Sequence, residues 1–145
     1  MEIYTIGFTQ KTAAEFFGIL RKNGIKRLLD IRLNNSSQLA SFAKREDLRF
    51  FLQELCQADY LHELLLAPTQ EMLDAHKKHK GSWEDYEREF LQLMEERHIA
   101  TALDPTLFDV PTVMLCSEAT AEHCHRRLVA EYLQAKWDKV AIIHL

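Results

Sequence analysis

In the run "CSEATAEHCHRR", Cys116 to Arg127, a thiol, a hydroxyl and a carboxylate at Cys116, Ser117 and Glu118 are followed by His123, Cys124, His125, Arg126 and Arg127. A strand-to-helix turn needs only a cap and a helix former, so this density of reactive groups exceeds what packing requires. Three chemistries fit. A Cys116 thiolate with His125 or His62 as base would make a nucleophilic site. Glu118 working with His62, the thiol inert, would make an acid–base site. Thiolate and imidazole together suit zinc, through Cys116, Cys124, His125 and Glu118. The seven residues between the two cysteines are not a zinc-ribbon spacing, so neither a metal nor another cofactor is expected. A cysteine-phosphatase loop places its arginine close behind the thiol, whereas Arg126 lies ten positions on and Glu118 would repel phosphate. Gly7 stands alone after the first apolar run, so no glycine-rich dinucleotide fingerprint is present.

The elements that must position these groups alternate along the chain. "EIYTI" (Glu2 to Ile6) reads as a strand ending at Gly7. Thr12 and Glu15 form a capping box before a helix that Asn23-Gly24 stops. "IKRLLDIR" is a second strand, residues 45 to 57 a second helix, and Tyr60 to His62 a short third strand. Helices follow over Thr69 to His79, stopped by Lys80-Gly81, and from Ser82, with Asp85 completing its cap, to about Arg97. Val110 to Leu115 is a nearly continuous apolar strand, Thr120 caps a helix to Trp137, and "KVAIIHL" closes the chain as a strand. Strands apolar on both faces and separated by helices predict an α/β fold, a mostly parallel, Rossmann-like three-layer sheet of about five strands in a single compact domain over residues 1–145.

In such a sheet the carboxyl ends of all strands share one edge, where ligands bind. That edge should collect Gly7 and Thr9, Asp30 and Arg32, His62, and Cys116, Ser117 and Glu118, with the amides of the following helix close to Cys116. On that helix Cys124 and His125 should face inward, with His123, Arg126 and Arg127 to the side. Asp30 and Arg32 could pair as a structural ion pair. The expectation adopted instead makes Asp30 structural and Arg32 a solvated clamp for anions, removable with little effect on unfolding.

The 145-residue chain, with net charge -4 from 18 basic and 22 acidic residues, has no general field for a nucleic-acid backbone. Lys77, Lys78 and Lys80, and Arg126 with Arg127, are short basic patches only, which leaves nucleic acid a minor alternative. Three cysteines are an odd number, arguing for a reducing, cytoplasmic setting. No apolar run approaches the roughly 20 residues that span a bilayer, so no membrane association is expected. Composition says nothing of oligomeric state.

The quoted residues resemble one family. "CSEATAEHCHRRLVAEYL" carries a Cys-x-Glu motif followed by a Cys-His-Arg motif, as in the domain of unknown function 488 (DUF488) family. "IYTIGFT", "LLDIR" and "YLHEL" are similar to its opening turn, its Asp-Val-Arg and its Tyr-x-His segment. The resemblance implies a compact α/β domain and no established reaction. It places recurrent polar positions at Gly7, Asp30, Arg32, His62, Cys116, Glu118, Cys124, His125 and Arg126. Two departures stand out: Phe8 where the family commonly has His, and "NNSSQLASF" in place of a more basic loop. The combined expectation is an enzyme acting on a small polar or anionic ligand at this edge. Cys116, Glu118 and His62 would be its catalytic groups, and Gly7, Thr9, Asp30, Arg32, Ser117, His125 and Arg126 its binding groups. A non-catalytic binding module, or a structural polar cluster, is the alternative.

Overall fold

The computed structural model describes residues 1–35, 41–78, 82–118 and 121–145. Five strands, β1 (Glu2–Gly7), β2 (Arg27–Asp30), β3 (Asp59–His62), β4 (Thr112–Cys116) and β5 (Ala141–His144), form one all-parallel sheet in the order β3-β2-β4-β1-β5. The helices are α1 (Ala13–Lys22), α2 (Arg45–Cys56), α3 (Gln70–Lys78), α4 (Trp83–Glu96), α5 (Ile99–Ala102) and α6 (His125–Lys136). The expected α/β architecture with helices on both faces is present.

Period-2 alternation divides the core. On β2 and β4, Leu28, Val113 and Leu115 join Phe16, Leu20, Leu48 and Leu52 of α1 and α2 in one apolar cluster. Leu29 and Met114 point the other way, to Met72, Phe90, Met94, Leu128 and Leu133 of α3, α4 and α6. The chain therefore leaves β1 and β2 across one face and β3 and β4 across the other. Loops that part to opposite faces around the end of β4 open a crevice there.

The local signals act as chemistry requires. Thr12 Oγ1 accepts the Glu15 amide at 3.1 Å and the Glu15 carboxylate accepts the Thr12 amide at 3.0 Å, so α1 starts with two of its orphan donors satisfied. Ser82 caps α4 through the Asp85 amide at 3.1 Å. Several boundaries differ from expectation, two of them for a visible reason. The fourth strand runs from Thr112 rather than Val110, because Pro111 has no N–H for the ladder and its carbonyl serves Lys26 and Arg27 instead. The sixth helix starts at His125; the expected cap, Thr120, and the stop at Lys80-Gly81 lie outside the described residues. Cys124 has extended backbone (φ -134°, ψ 141°) and its amide closes a turn onto the Ala121 carbonyl at 3.3 Å, so helical geometry cannot pass through it.

Candidate functional site

A cleft of about 320 Å³ opens at the carboxyl edge. Its floor is the end of β4 with the start of α6: Cys116, Cys124 and His125, all buried. Ser117 and Glu118 lie on its rim, Arg32, Leu33 and Asn34 border it from the β2 loop, and α3 and α4 give the opposite wall. Alternation explains the floor, since Cys116 follows Met114 by two positions and so points to the α6 side.

That wall is aromatic. Trp83 stacks on His123 (centroids 5.0 Å, 20° between planes) and on Tyr86 (5.2 Å), which in turn faces Phe90. Phe90 packs on the His125 ring at 5.4 Å. Sequence reasoning missed Trp83, Tyr86, His76 and Leu73. The only signal was the helical spacing of Trp83, Tyr86 and Phe90, which also describes a core stripe. Arg97, likewise missed, donates to the Leu64, Leu65 and Ala67 carbonyls (3.3, 2.7 and 2.7 Å), holding the turn that brings Pro68 to the cleft.

At the floor, His125 Nε2 lies 2.8 Å from the Ile31 carbonyl and Nδ1 lies 3.4 Å from Cys116 Sγ. A carbonyl only accepts, so Nε2 carries the proton and Nδ1 turns its lone pair to the sulfur. Burial pushes the imidazole down to about 4, against the Ile31 bond that favours its charge, and Arg126 pushes in the same direction as burial. Cys124 Sγ and Cys116 Sγ are joined as a disulfide, their Cα atoms 7.3 Å apart. The ligand atoms of Cys116, Cys124 and His125 all fall within 4.8 Å of one another. The turn before α6 brings together in space two cysteines that seven residues separate in sequence.

Arg126 was expected at the side of its helix and is instead 1% exposed. Its Nη1 donates to the Glu118 carbonyl at 2.5 Å and approaches Cys124 Sγ at 3.8 Å, and burial pushes its pKa down to about 10, still cationic near neutrality. Arg127 binds Glu131 at 2.9 Å, so this pair offers no basic patch. Gly7 is required here: a Cβ would sit 1.5 Å from the Glu118 carbonyl oxygen and 2.6 Å from Arg126 Nη1. Thr9 fastens the same loop from the other side, its amide and Oγ1 donating to the Ser117 carbonyl at 3.1 and 2.8 Å. Gly7, Thr9 and Arg126 therefore shape the rim from behind.

Asp30 and His62 reach the expected edge but do not line the cleft. Asp30, between Leu29 and Ile31 of the α3/α4/α6 side, points to the opposite face by alternation. There its carboxylate takes Arg32 Nε (2.8 Å), Arg32 Nη2 (2.7 Å) and the Tyr60 hydroxyl (2.6 Å). Burial first, and then the bond to Asp30, push the Tyr60 phenol up, so it stays a donor. His62 Nε2 donates to the Arg32 carbonyl at 2.7 Å and its Nδ1 accepts from Asn35 at 3.1 Å. Both ring nitrogens are committed to loop structure, and His125 is the imidazole beside Cys116. The expectation of a solvated Arg32 is corrected: it is 3% exposed, bidentate on Asp30, bonded to the Ala43 carbonyl at 2.8 Å and stacked over Phe8 at 5.3 Å. Among the described residues its Nη1 is buried without a partner. Phe8 is thus an apolar cover for this guanidinium.

No curated protein and no solved structure matches the chain. A family model does, over residues 12–133, which takes in the Asp30, His62, Cys116 and Cys124 motifs and leaves out the turn at Gly7. With most of its length matched, the chain belongs to the family described as "Domain of unknown function DUF488".

Proposed function

We propose that the protein is an enzyme that takes a small polar or anionic substrate into the carboxyl-edge cleft, with its chemistry at Cys116 and Glu118. The observation that carries this reading is the Cys116 floor: a buried sulfur at the end of a parallel strand, faced by an imidazole lone pair whose tautomer the Ile31 carbonyl fixes. Around it the cleft combines a flat aromatic wall with an exposed carboxylate at Glu118, the arrangement of a site that holds a planar or polar group against an acid–base residue. Arg32 among the residues that line the cleft supports an anionic group on the ligand.

Trp83 provides the test, because the only other tryptophan, Trp137, is held away from the cleft by the Ala100 carbonyl. In Trp137→Phe protein, Trp83 emission should respond saturably to at least one member of a panel of phosphates, carboxylates and nucleosides. Glu118→Gln should alter turnover of that compound more than its binding. A panel that leaves both Trp83 emission and thermal unfolding unchanged would count against a ligand cleft and for a structural cluster.

A further inference from the structure

We infer that Cys116, Cys124 and His125 hold one soft divalent cation, zinc by ligand type, with its remaining coordination position open to the cleft. This deepens the enzyme reading, on which it rests for the role of that open position. Two sulfurs and one imidazole nitrogen converge within 4.8 Å, and zinc sites with three protein ligands and one free position are built from such sets.

Three further features agree. The Ile31 carbonyl fixes His125 so that Nδ1, the atom on the sulfur side, is the one with a lone pair, and metal-bound histidines are commonly oriented by such a bond from the other nitrogen. Cys124 occupies the N-cap of α6 yet makes no capping bond, although serine, threonine, asparagine or aspartate would serve the helix better there. Its sulfur is turned to Cys116 and Arg126 instead. Finally, the Cα atoms of the two cysteines stand 7.3 Å apart, beyond the range of about 4.4–6.8 Å that a disulfide usually spans. Once the pair is reduced, the two sulfurs can part to take an ion between them. Two thiolates would cancel the charge of a divalent cation, and the Arg126 guanidinium lies 3.8 Å from Cys124 Sγ.

The open position would be reached from the cleft, whose rim carries Ser117 and Glu118. It would accept a water or an oxygen of the substrate, with Glu118 placed on the same rim to move a proton. The polar atom that binds there is therefore an oxygen of a carbonyl, carboxylate or phosphoryl group.

The test measures metal content of the full chain purified under reducing conditions without chelator, together with titration of the metal-free protein by cobalt(II). About one zinc per chain is expected. Cobalt should give the intense visible bands of a tetrahedral site and a near-ultraviolet thiolate band, both erased by an equivalent of zinc. Cys56→Ser should behave as the parent, because Cys56 is buried against the Phe17 carbonyl far along the chain. Cys124→Ser puts a favoured capping residue at the start of α6, so it should fold, and it should lose at least tenfold in cobalt affinity. Metal-free protein without thiolate–cobalt bands, or a Cys116–Cys124 peptide recovered only as a disulfide from metal-supplemented cells, would overturn the proposal. Ligand-induced change of Trp83 emission in metal-free protein would then leave the enzyme reading standing. Stoichiometric zinc with a silent Trp83 would sustain the metal site and remove the enzyme reading.

Discussion

Asp30 and Arg32 form a unit that neither residue can leave alone. Asp30 is fully buried with Arg32 in bidentate contact, so Arg32→Ala strands a carboxylate and Asp30→Ala strands a guanidinium. Each should cost about 3–5 kcal/mol, read as a lowered urea midpoint at unchanged slope. Arg32→Lys should recover little, because an ammonium cannot span two carboxylate oxygens and the Ala43 carbonyl together. The pair's position at a strand end was legible in the sequence; its direction was not, because nothing near it says which face of the sheet an alternating strand shows to the ligand. Gly7→Ala belongs at this scale too. Its new Cβ would meet backbone oxygen rather than a yielding side chain, so β1 or the Glu118 loop must shift. The expected result is a thermal midpoint several degrees lower, together with altered reactivity of Cys116 toward small thiol reagents.

Among elements, helix caps were the most readable feature and the turn before α6 the least. Thr12 with Glu15 and Ser82 with Asp85 announce α1 and α4 by residue type; both bonds of the box form at α1, and the Ser82 cap bond forms at α4. Ser82→Ala should therefore cost about 1 kcal/mol, measurable by chemical denaturation. The start of α6 depends on tertiary partners, with Cys124 extended at its head and Arg126 anchored to the Glu118 carbonyl, and short-range patterns carry no record of these. For the same reason Cys116, Ser117, Glu118 and His125 could be picked out as candidates, being close in sequence. The aromatic wall from α4 could not, since Trp83, Tyr86 and Phe90 at helical spacing look like any buried stripe.

At the scale of the whole molecule, the sheet separates two apolar clusters, so a cavity made in one should leave the other's packing intact. Leu52→Ala and Met94→Ala lie in different clusters and should add within about 0.3–0.5 kcal/mol when combined. The closing strand adds a pH response. Burial, followed by the charge of Arg126, holds the His144 imidazole below its usual value, against a weaker pull from Glu131. The unfolded chain then takes up a proton more readily than the folded one near pH ~6.5. The stability contributed above that pH is lost as pH falls through the folded value. Comparing urea midpoints near neutrality and at mildly acidic pH, His144→Asn should lose less on acidification than the parent protein, and an equal loss would assign the effect elsewhere.

The asymmetric construction of the cleft carries a consequence for how such a protein diversifies. Its β4 side is locked through close backbone approach at Gly7, the Arg126 anchor and the Thr9 bonds, so a substitution there disturbs several partners at once. The facing wall is made of ring faces and Leu73, Pro68 and His76 on helices and a turn, where one side chain can be exchanged without rebuilding the backbone. Under the proposed function, descendants of one ancestor could keep a common reaction centre while acquiring new substrate preferences through the α3 and α4 wall, and exchanging side chains of that wall should change preference without changing chemistry.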